Sequence, residues 1–395
     1  MTSLDLALLA VHSLIAYSWI LFPLSLGLLG KRTNHPRWTG VKGGPEPRVA
    51  VILSAYNEEE HIRDRVRNLL SVDYPSGGWC AYVGVDGSSD HTAREAGAAA
   101  AGYENITVLN FPVNRGKVAV LKDLIARACA AAPPPDILIF TDANTTFHPD
   151  AVLKLCAPFS DPAVGGVCGK LLFVGSEGGE TEENVYWRLE NWLKARESAI
   201  DSCLGANGAI YAIRSTLFWS DIPSNTIIDD FVIGMKIREQ GYRFVYEPAA
   251  VAVEYLPKQI MDEWKRRVRI GAGDFQALRT CGGCLKPSFG TFAWLFFSHK
   301  VLRWFTPHLM IAGFLLAAIA TALTGSALGI FILTLYAALG AAALLGRISV
   351  GRGGRAVRML RGVQYLLAMQ AAIFMGFIRF CRGNLEGRWQ RTTRS

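Results

Sequence analysis

Acidic residues follow apolar runs at several points in this sequence, a position from which carboxylates can bind metal and phosphate. Asp86 ends the run CAYVGVD, and Asp142 ends ILIFTD, with Asn144 two residues further on. Two adjacent acids, Asp229 and Asp230, open the stretch DDFVIGMKIREQG, whose apolar spacing is that of a helix. Carboxylate oxygens hold a hard divalent cation, which in turn bridges two phosphates of a ligand. The acids at the ends of the apolar runs, Asp86 and Asp142, therefore predict a site for a metal-bound diphosphate.

A basic turn, NRGK, supplies positive charge for such a ligand. Its Arg115 and Lys117 are expected to neutralise the phosphate charge that the cation leaves over. The glycine-rich phosphate-binding motifs GxxxxGK[ST] and GxGxxG do not occur in the sequence. The plainer alternative for Arg115 and Lys117 is a pair of solvated surface charges.

Alternating strand and helix patterns between residues 45 and 257 are expected to position these side chains. The run RVAVILSAYN predicts a strand that ends at Asn57, which with Glu60 is expected to cap the following helix. Further short apolar runs, CAYVGVD, NITVLNF and ILIF, alternate with helical stretches such as KVAVLKDLIARACAAA. This alternation predicts a parallel sheet covered on both faces, in which ligands bind beyond the carboxyl ends of the strands. We therefore expect Asn57, Asp86 and Asp142 to meet at one edge of the sheet.

Four apolar segments approach the length of about 20 residues that a helix needs to cross a bilayer. They account for the high hydrophobic content of the chain, 51%. The segments are Leu6–Gly30, Phe305–Thr324, Ala327–Leu345 and the less apolar Gln364–Phe380. The first lacks the basic start, the short apolar core and the small-residue cleavage site of a signal peptide, so we interpret it as a retained anchor.

The net charge of +8 is concentrated at the carboxyl end of the chain. From Gly346 onward there are ten arginines and one acid, Glu386, so this part carries +9 and the rest −1. A basic segment beside apolar spans is typical of cytoplasmic, lipid-facing sequence and not of a nucleic-acid groove. The same rule places the domain after the first span in the cytoplasm, because four basic residues follow that span: Lys31, Arg32, Arg37 and Lys42.

The last apolar segment obeys this rule less well. If Gln364–Phe380 spans the membrane, the basic tail after it lies outside, with Arg382, Arg388, Arg391 and Arg394. The two glutamines within the segment suit a helix that lies along the interface instead. The sequence leaves both arrangements open.

The eight cysteines are scattered and are expected to be reduced, buried thiols. Cys281 and Cys284 form a CxxC pair, but no second cysteine pair or histidine pair accompanies them, as a zinc site requires. A metal or redox role for this pair is the alternative.

Six motifs occur in the order seen in membrane-embedded family 2 glycosyltransferases. They are VAVILSAYNEE, VDGSSD, NRGKVAVL, FTDANT, GANGAIYAIR and IIDDFVIGMKIREQGYRFVYEP. Over residues 45–275 the chain resembles this family, which includes hyaluronan, chitin, cellulose and poly-N-acetylglucosamine synthases. The resemblance implies a GT-A domain, an α/β fold with a Rossmann-like, mostly parallel sheet. The implied divisions are an N-terminal transmembrane anchor (1–32), a cytoplasmic GT-A domain (45–257), interfacial amphipathic helices (258–303), two transmembrane helices (304–346), and a basic loop, last membrane helix and basic tail (347–395).

The resemblance implies a nucleotide-sugar site formed by the first four motifs: Ala55, Asn57, Glu58, Asp86, Arg115, Lys117, Asp142 and Ala143. Within it, Asp86 matches the family acid that accepts a hydrogen bond from the uracil ring. Asp142 matches the first acid of the DxD metal motif, whose last acid is replaced here by Asn144. An amide oxygen coordinates a cation without adding negative charge, so the site for Mg²⁺ or Mn²⁺ is expected to be weaker. The plainer alternative for Asp86 and Asp142 is a pair of turn acids.

For catalysis, the resemblance implies that Asp230 is the general base, with Asp229 beside it. The base takes the proton of an acceptor hydroxyl while that oxygen attacks the anomeric carbon, opposite the leaving diphosphate. One displacement with one base inverts the anomeric configuration. Adjacent carboxylates also raise each other's pKa toward working pH, as a base requires. The alternative is a pair of helix N-terminal acids that favour the helix dipole.

Two further motifs imply contacts to the acceptor and the diphosphate. GANGAIYAIR, with Gly205 and Asn207, is similar to a small-residue loop beside the acceptor, and a purely structural turn is the alternative. QIMDEWKRRVRIGAGDF predicts an interfacial amphipathic helix, whose apolar face consists of Ile260, Trp264, Val268, Ala272 and Phe275. It stands where polymerising synthases have a QxxRW-type motif. Here Arg266, Arg267 and Arg269 are present, but the glutamine and the tryptophan are not, which weakens the case for a processively extruded polymer.

Taken together, the resemblance implies an inverting, metal-dependent membrane enzyme that uses a UDP-sugar to build a β-linked exopolysaccharide. The alternative is transfer of a single sugar to a polyprenyl phosphate or another lipid. From a different class, a catalytically silent scaffold that only binds nucleotide sugar is the third interpretation. The implied setting is the inner or plasma membrane, with membrane lipids, a glycan or lipid acceptor, and room for a homo-oligomer or export subunits, but no nucleic acid.

Overall fold

An eight-stranded mixed sheet forms the centre of the computed structural model, which describes residues 2–29, 46–75, 77–174, 182–255, 260–349, 354–383 and 385. The strands are β1 Val49–Ala55, β2 Trp79–Asp86, β3 Ile106–Phe111, β4 Ile137–Thr141, β5 Thr145–Phe147, β6 Val164–Val174, β7 Tyr211–Arg214 and β8 Arg243–Tyr255. Their order in the sheet is β3-β2-β1-β4-β7-β6-β8-β5.

Thirteen α-helices accompany the sheet in the described part of the chain. They are α1 Ser3–Ala16, α2 Phe22–Leu29, α3 Ile62–Leu70, α4 Thr92–Ala100, α5 Lys117–Cys129, α6 Ala151–Cys156, α7 Glu182–Ile200, α8 Asp229–Glu239, α9 Ile260–Cys281, α10 Thr291–Leu295, α11 Leu302–Thr324, α12 Ala327–Ile348 and α13 Arg355–Cys381. Two π-helical turns, Tyr17–Leu21 and Phe296–Val301, join α1 to α2 and α10 to α11.

The central strands are apolar because both faces of the sheet are covered. Every residue of β1 and β4 is buried. Leu121 and Leu124 of α5 belong to the core on one face, and Val66 and Leu69 of α3 belong to the core on the other. Each such side chain contributes about 1.5–3 kcal/mol when it is fully buried. This packing holds the strand ends, and the acids that follow them, in place.

The predicted α/β fold is confirmed, and the sheet is parallel where the sequence alternates strand with helix. The strands β3, β2, β1 and β4 pair in parallel, as do β6 and β8. Antiparallel pairs occur at β4–β7, β6–β7 and β5–β8. The short strand β7 enters between β4 and β6, so the active-site loop that precedes it opens at the same edge as the end of β4.

The prediction that Asn57 caps the next helix is wrong. Helix α3 begins at Ile62, and Asn57 adopts a positive φ of 54° in the turn before it. The Asn57 side-chain oxygen accepts a hydrogen bond from the backbone N–H of Ser89 at 2.9 Å, and its own N–H donates to the Ser88 hydroxyl at 3.0 Å. Asn57 therefore ties the loop after β1 to the loop after β2, because its side chain satisfies a neighbouring turn instead of a helix terminus.

Four helices among the described residues are long and apolar enough to cross a membrane: Ser3–Leu29, Thr291–Thr324, Ala327–Ile348 and Arg355–Cys381. They match the four predicted segments and indicate a membrane protein. The second begins earlier than the predicted Phe305, and the part before Phe305 includes three ionisable residues, His299, Lys300 and Arg303. The basic residues used to predict orientation, Lys31, Arg32, Arg37, Lys42, Arg388, Arg391 and Arg394, lie outside the described residues.

Helix α9, predicted to lie in the membrane interface, is covered by protein along part of its apolar face. Phe275 is buried, with its ring 5.4 Å from that of Phe305 on α11 and 4.9 Å from that of Phe377 on α13. A Cβ added at Gly376 of α13 would lie 2.5 Å from the backbone nitrogen of Ala272, so the two helices touch backbone to backbone. At Ala272 and Phe275, therefore, α9 packs against α11 and α13, where contact with lipid was expected.

All eight cysteines are free thiols, but the prediction that they are buried is wrong for Cys129 and Cys381, which are exposed, and Cys80 is only partly buried. Burial raises the pKa of Cys281 to about 12 and that of Cys284 to about 11, so neither thiol ionises readily at neutral pH. Among the described residues, no group of three histidine, cysteine or acidic side chains is arranged to hold a metal ion. The CxxC pair therefore has the surroundings of structural thiols.

Candidate active site

A cavity of about 560 Å³ lies between the edge of the sheet and the apolar helices. Its sheet side carries Lys117, Asp142, Asn207, Asp229 and Asp230. Its opposite side carries Arg266, Arg267 and Arg269 of α9, and further residues of α7, α11 and α13. Eight of the predicted site residues therefore line one space, although they come from five separate parts of the sequence.

Lys117 and Asp142 form an ion pair at the end of β4. The Lys117 ammonium donates to Asp142 Oδ1 at 2.8 Å and lies 3.8 Å from Asp229 Oδ2. Burial alone would lower the pKa of Lys117, but Asp142 and Asp229 together raise it above its usual range. The lysine therefore stays positively charged and holds the two carboxylates together.

The acid pair occupies the first turn of α8. Asp229 is buried, and its Oδ2 makes no hydrogen bond to any described residue. Burial raises the pKa of Asp229 to about 6; Lys117 opposes this shift, and the neighbouring Asp230 and Asp142 add to it. Asp229 thus has a raised pKa, for which burial is the main cause and the neighbouring acid a lesser one.

Asp142 and Asp230 face a common point beside Gly208. A Cβ on residue 208 would lie 3.2 Å from Asp230 Oδ2 and 3.4 Å from Asp142 Oδ2. The other oxygen of Asp230 is held by the backbone N–H of Phe231 at 2.8 Å. A side chain at position 208 would fill the space between the two carboxylates, so glycine keeps that space open.

These oxygens fit a hard divalent cation. Such ions take carboxylate and amide oxygens, and they commonly complete their coordination with phosphate and water. Asn144 lies just beyond Asp142, and its side-chain nitrogen is buried without a hydrogen bond to any described residue. The protein thus offers few metal ligands of its own, and a diphosphate would have to supply several of the remaining metal ligands.

Asp86 lies at the end of β2 and does not line the cavity. It is 2% exposed, and its two oxygens accept hydrogen bonds from the backbone N–H groups of Arg115 and Gly116, both at 2.8 Å. Strand β1 separates β2 from β4, so Asp86 and Asp142 are two strand spacings, about 10 Å, apart. Asp86 therefore fixes the turn that delivers Lys117 to Asp142.

The other residues predicted for the nucleotide lie on the same edge of the sheet, outside the cavity. Ala55 ends β1, and the N–H of Glu58 donates to the Thr92 hydroxyl at 2.8 Å. Ala143 is buried next to Asp142. The guanidinium of Arg115 pairs with Asp123 at 2.6 Å and lies over the ring of Phe111. The Arg115 side chain thus contacts α5, the helix that follows the basic turn. The Lys117 side chain instead contacts Asp142 and lies near Asp229.

The loop with Gly205 and Asn207, predicted to face the acceptor, is held in place by Lys194, a residue that the sequence did not point to. Gly205 has a φ of 72°, and a Cβ there would lie 2.4 Å from Phe231 Cδ2, so only glycine fits. The buried Lys194 of α7 donates to Asn207 Oδ1 at 2.9 Å, and Asn207 donates to the carbonyl of Gly169 at 3.2 Å. Lys194 therefore positions the loop that brings Gly208 between the carboxylates.

The three arginines of α9 have different surroundings. Arg267 donates to the Tyr365 hydroxyl of α13 at 2.9 Å. Burial and the adjacent Arg266 lower the pKa of Arg269, and the acids Asp229, Asp230 and Asp142 oppose this effect. Arg269 is therefore within electrostatic reach of the acids on the other side of the cavity.

A second charged cluster on the cavity wall was not predicted. Glu190 and Glu197 of α7 contact His299, with the Glu190 contact at 3.2 Å, and Glu190 also binds Lys300 at 3.1 Å and Arg303 at 3.0 Å. Burial alone would raise the pKa of Glu190, but Lys300, His299 and Arg303 hold it well below its usual range. The sequence contained one signal for this cluster: His299 and Arg303 are four residues apart and therefore share a helix face. They stand at the start of an apolar span, so the spacing did not point to a site.

Comparison with known proteins assigns the family. A family model described as Glycosyltransferase like family 2 matches residues 47–273, more than half of the chain. The chain belongs to glycosyltransferase family 2. The match covers β1 through the middle of α9 and thus the sheet-side acids and the α9 arginines, which agrees with the resemblance found in the sequence.

Within glycosyltransferase family 2, the chain is similar to poly-beta-1,6-N-acetyl-D-glucosamine synthases. It is 26% identical over 243 residues to the synthase of Staphylococcus epidermidis, a region that makes up 58% of this chain and 55% of that protein. It is 26% identical over 238 residues to the synthase of Staphylococcus aureus strain COL, with the same coverage. The chain therefore spans about half the length of the curated relatives it matches.

A solved structure matches nearly the whole chain. It is a mannosyltransferase from Pyrobaculum calidifontis in complex with GDP-mannose and Mn²⁺, with a TM-score of 0.70 and 21% sequence identity. The match covers 95% of this chain and 99% of that one. The likeness shows that the fold extends beyond the family 2 domain and includes the apolar helices.

Proposed function

We propose that this glycosyltransferase moves one sugar from a nucleotide sugar, UDP-linked, to an acceptor hydroxyl with inversion at the anomeric carbon. One observation carries the proposal: Lys117, Asp142, Asp229, Asp230 and Arg269 meet around a single cavity. A protein that only binds nucleotide sugar does not need the Asp230 carboxylate in the same open space as Asp142, the acid proposed to hold the metal and the diphosphate. This arrangement favours the enzyme over the silent scaffold.

In this proposal, Asp230 is the general base. Its Oδ2 faces the open space at Gly208 and takes the proton of the acceptor hydroxyl. The acceptor oxygen forms a bond to the anomeric carbon as the bond from that carbon to the diphosphate breaks, and the nucleoside diphosphate leaves with the electron pair. Lys117 and Arg269 lie where their charge stabilises the leaving diphosphate. Attack from the side opposite the diphosphate inverts the configuration.

Asp142, with Asn144, is proposed to hold Mg²⁺ or Mn²⁺ against the diphosphate. When bound, the ion supplies Lewis-acid stabilisation of the departing phosphate oxygens. The Mn²⁺ in the structurally similar mannosyltransferase supports a divalent cation. The predicted nucleotide contacts of Ala55, Asn57, Glu58, Asp86, Arg115 and Ala143 are part of the same proposal, with the base of the nucleotide beyond the end of β2.

For the product, we propose a β-linked exopolysaccharide, because the curated relatives are poly-beta-1,6-N-acetyl-D-glucosamine synthases. Transfer to a lipid-linked acceptor is the second candidate. It is favoured by the small number of apolar helices long enough to cross a membrane, four among the described residues, which offer limited material for a polymer channel. Product sizing distinguishes the two, since a polymer gives a ladder of lengths and single transfer gives one extractable glycolipid.

For the setting, we propose a multi-pass protein of the inner or plasma membrane with its catalytic domain in the cytoplasm. The proposal rests on the basic residues that flank the apolar segments. The domain division predicted from sequence, with the GT-A domain at 45–257, belongs to this proposal, as do glycan or lipid acceptors and a homo-oligomer or export subunits as partners.

The proposed activity predicts release of a nucleoside diphosphate. Full-length protein in detergent with Mg²⁺ or Mn²⁺ is expected to release UDP from one member of a panel of UDP-sugars, and the test includes GDP-mannose as a second nucleotide. A coupled assay for the free diphosphate measures this, with a chelator as the metal-free control. If no nucleotide sugar in the panel yields free diphosphate, the silent scaffold replaces the enzyme.

Asn144→Asp is expected to tighten binding of Mn²⁺ in the presence of nucleoside diphosphate by about 10-fold, because it adds a carboxylate where an amide now stands. Isothermal titration of Mn²⁺ in the presence of saturating UDP measures the change. Asn110→Asp makes the same substitution at an exposed position on β3 and should leave the affinity unchanged. Equal affinities for all three proteins would mean that position 144 does not contact the ion.

A further inference from the structure

The cavity extends from the acids to the apolar helices, and its far wall is built from three of them. Trp19 comes from the first helix, Lys300 and Arg303 come from the start of the second, and Gln370 comes from the last. The ring of Phe231, next to Asp230, lies 5.6 Å from that of Trp304, next to Arg303. Helix α8, which carries the proposed base, thus packs against the helix that carries Arg303.

Arg303 presents one edge of its guanidinium without a partner. Its Nη1 donates to Glu190, but its Nε and Nη2 have no hydrogen bond to any residue that the structure describes. The residue is 6% exposed, and its guanidinium lies 4.7 Å from the centre of the Trp19 ring, which fixes its plane. Nε and Nη2 form the edge of arginine that binds two oxygens of a phosphate or carboxylate at once.

A second buried group on the same wall also lacks a partner. Gln370 is 7% exposed, and its side-chain oxygen accepts no hydrogen bond from any described residue. Buried polar groups are normally paired, because an unpaired one costs about 1–3 kcal/mol. The far wall therefore offers unpaired donors at Arg303 and an unpaired acceptor at Gln370, which suits a ligand with both an oxyanion and a hydroxyl group.

Positive charge exceeds negative charge on this part of the cavity wall. Among the described lining residues, the apolar helices contribute the cations Lys300, Arg303 and Arg379, and the acids beside them are Glu190 of α7 and Asp274 of α9. Burial raises the pKa of Asp274 to about 8, opposed by Lys300 and Arg267, so this acid carries little charge at neutral pH. A neutral glycan does not require such an excess of cations. An anionic ligand does, and basic pockets between membrane helices bind lipid headgroups.

We propose that Arg303 and Lys300 bind the phosphate of a lipid-linked sugar, whose sugar hydroxyl reaches Asp230 and whose hydrocarbon chain lies against the apolar helices; undecaprenyl phosphate, which has the phosphate and the chain but no sugar, tests the phosphate site alone. This inference rests on the proposed function, since it names the acceptor of the same cavity. The Arg303 edge takes two phosphate oxygens, and Lys300 adds charge from the next turn of the helix. The acceptor is then held by a group that the donor diphosphate does not use.

The test measures binding of undecaprenyl phosphate to the full-length protein in phosphatidylcholine nanodiscs. Undecaprenol supplies the lipid without phosphate, inorganic phosphate supplies the anion without lipid, and a chitotetraose supplies a neutral glycan. Undecaprenyl phosphate is expected to bind at least 10-fold more tightly than each of the other three. Arg303→Gln is expected to weaken this binding by about 10- to 100-fold, because it removes a charge-assisted bidentate contact.

Two further variants separate this contact from general charge and from misfolding. Arg303→Lys keeps a positive charge beside Glu190 but cannot form the two-point contact, so it should lose most of the same affinity. Arg279→Gln removes an exposed arginine of α9 and should bind as the wild type does. Thermal unfolding, measured in every variant, reports an intact fold, and a UDP titration reports an intact donor site.

Several outcomes would overturn the proposal. Equal binding of undecaprenol, binding of inorganic phosphate as tight as that of the lipid, preferential binding of chitotetraose, or full affinity in Arg303→Gln would each do so. In those cases wild-type release of UDP leaves the proposed function standing. If the wild type releases no diphosphate from any nucleotide sugar, the proposed function itself fails, whatever the lipid binding.

Discussion

Replacing Asp230 with asparagine should lower turnover by about 10²- to 10⁴-fold, the usual contribution of a general base. The amide keeps the size of the side chain and the hydrogen bond from the N–H of Phe231, but it cannot take a proton from the acceptor. Binding of UDP in the presence of metal should remain within about 3-fold of wild type, a change of less than 1 kcal/mol. Initial rates of diphosphate release and a UDP titration measure the two quantities.

The matched control for this variant is Asp221→Asn, which makes the same change at an exposed acid upstream of α8. It should retain wild-type turnover. If Asp230→Asn loses UDP binding to the same extent as turnover, then Asp230 holds the nucleotide and is not the base. Asp229→Asn would then become the variant to examine, since Asp229 is the neighbouring acid with the raised pKa.

Asp142→Asn is expected to lower kcat/KM by about 10³-fold, because stabilisation by a metal ion amounts to several kcal/mol and each 1.36 kcal/mol is a factor of ten. The substitution removes the carboxylate that faces Gly208 and the partner of Lys117 at 2.8 Å. Unlike the Asp230 variant, it should also weaken binding of UDP, and added Mn²⁺ should no longer improve that binding. UDP titrations with and without Mn²⁺ measure this dependence.

Asp64→Asn serves as the control for this second variant, because Asp64 is exposed on α3, where it forms an ion pair with Arg67 at 3.6 Å. Its metal dependence should match that of the wild type. The assignment of Asp142 to the cation is contradicted if Asp142→Asn still shows a full Mn²⁺ response in UDP binding.

The sequence was sufficient to predict the sheet-side acids because their signal is local. An apolar strand followed by an acid is visible within about ten residues, and parallel strands bring their carboxyl ends to one edge. Asp142 and Lys117 are 25 positions apart, yet both begin or end an element of the same alternating pattern. The acid pair at Asp229 and Asp230 is likewise the visible start of a helix.

The contacts of α7 could not be predicted in this way. Glu190 and Arg303 are separated by 113 positions, and Glu197 and His299 by 102. Each pair joins the family 2 domain to an apolar helix, and no periodicity within either segment reports on the other. Lys194 was missed for the same reason, since a lysine within a polar helix pattern is normally a surface residue, whereas here it is buried under Asn207.

Asp86 and Asn57 show a different limit of sequence reasoning. Both were expected at the edge of the sheet, and both lie there, but their side chains are engaged by backbone N–H groups of neighbouring loops. Residue type and position predict where such a side chain is, and they do not predict which of several nearby donors it satisfies. This choice depends on loop conformation, as the positive φ of Asn57 illustrates.

The backbone contact between α9 and α13 links the reaction to the physical state of the bilayer. Helix α9 carries Arg269, and α13 touches it at Gly376 with no side chain between them. A long apolar helix adjusts its tilt to the thickness of the hydrocarbon layer, and a tilt of α13 therefore displaces α9 as well. If Arg269 acts as proposed, acyl-chain length and ordering of the surrounding lipids are therefore expected to change the catalytic rate.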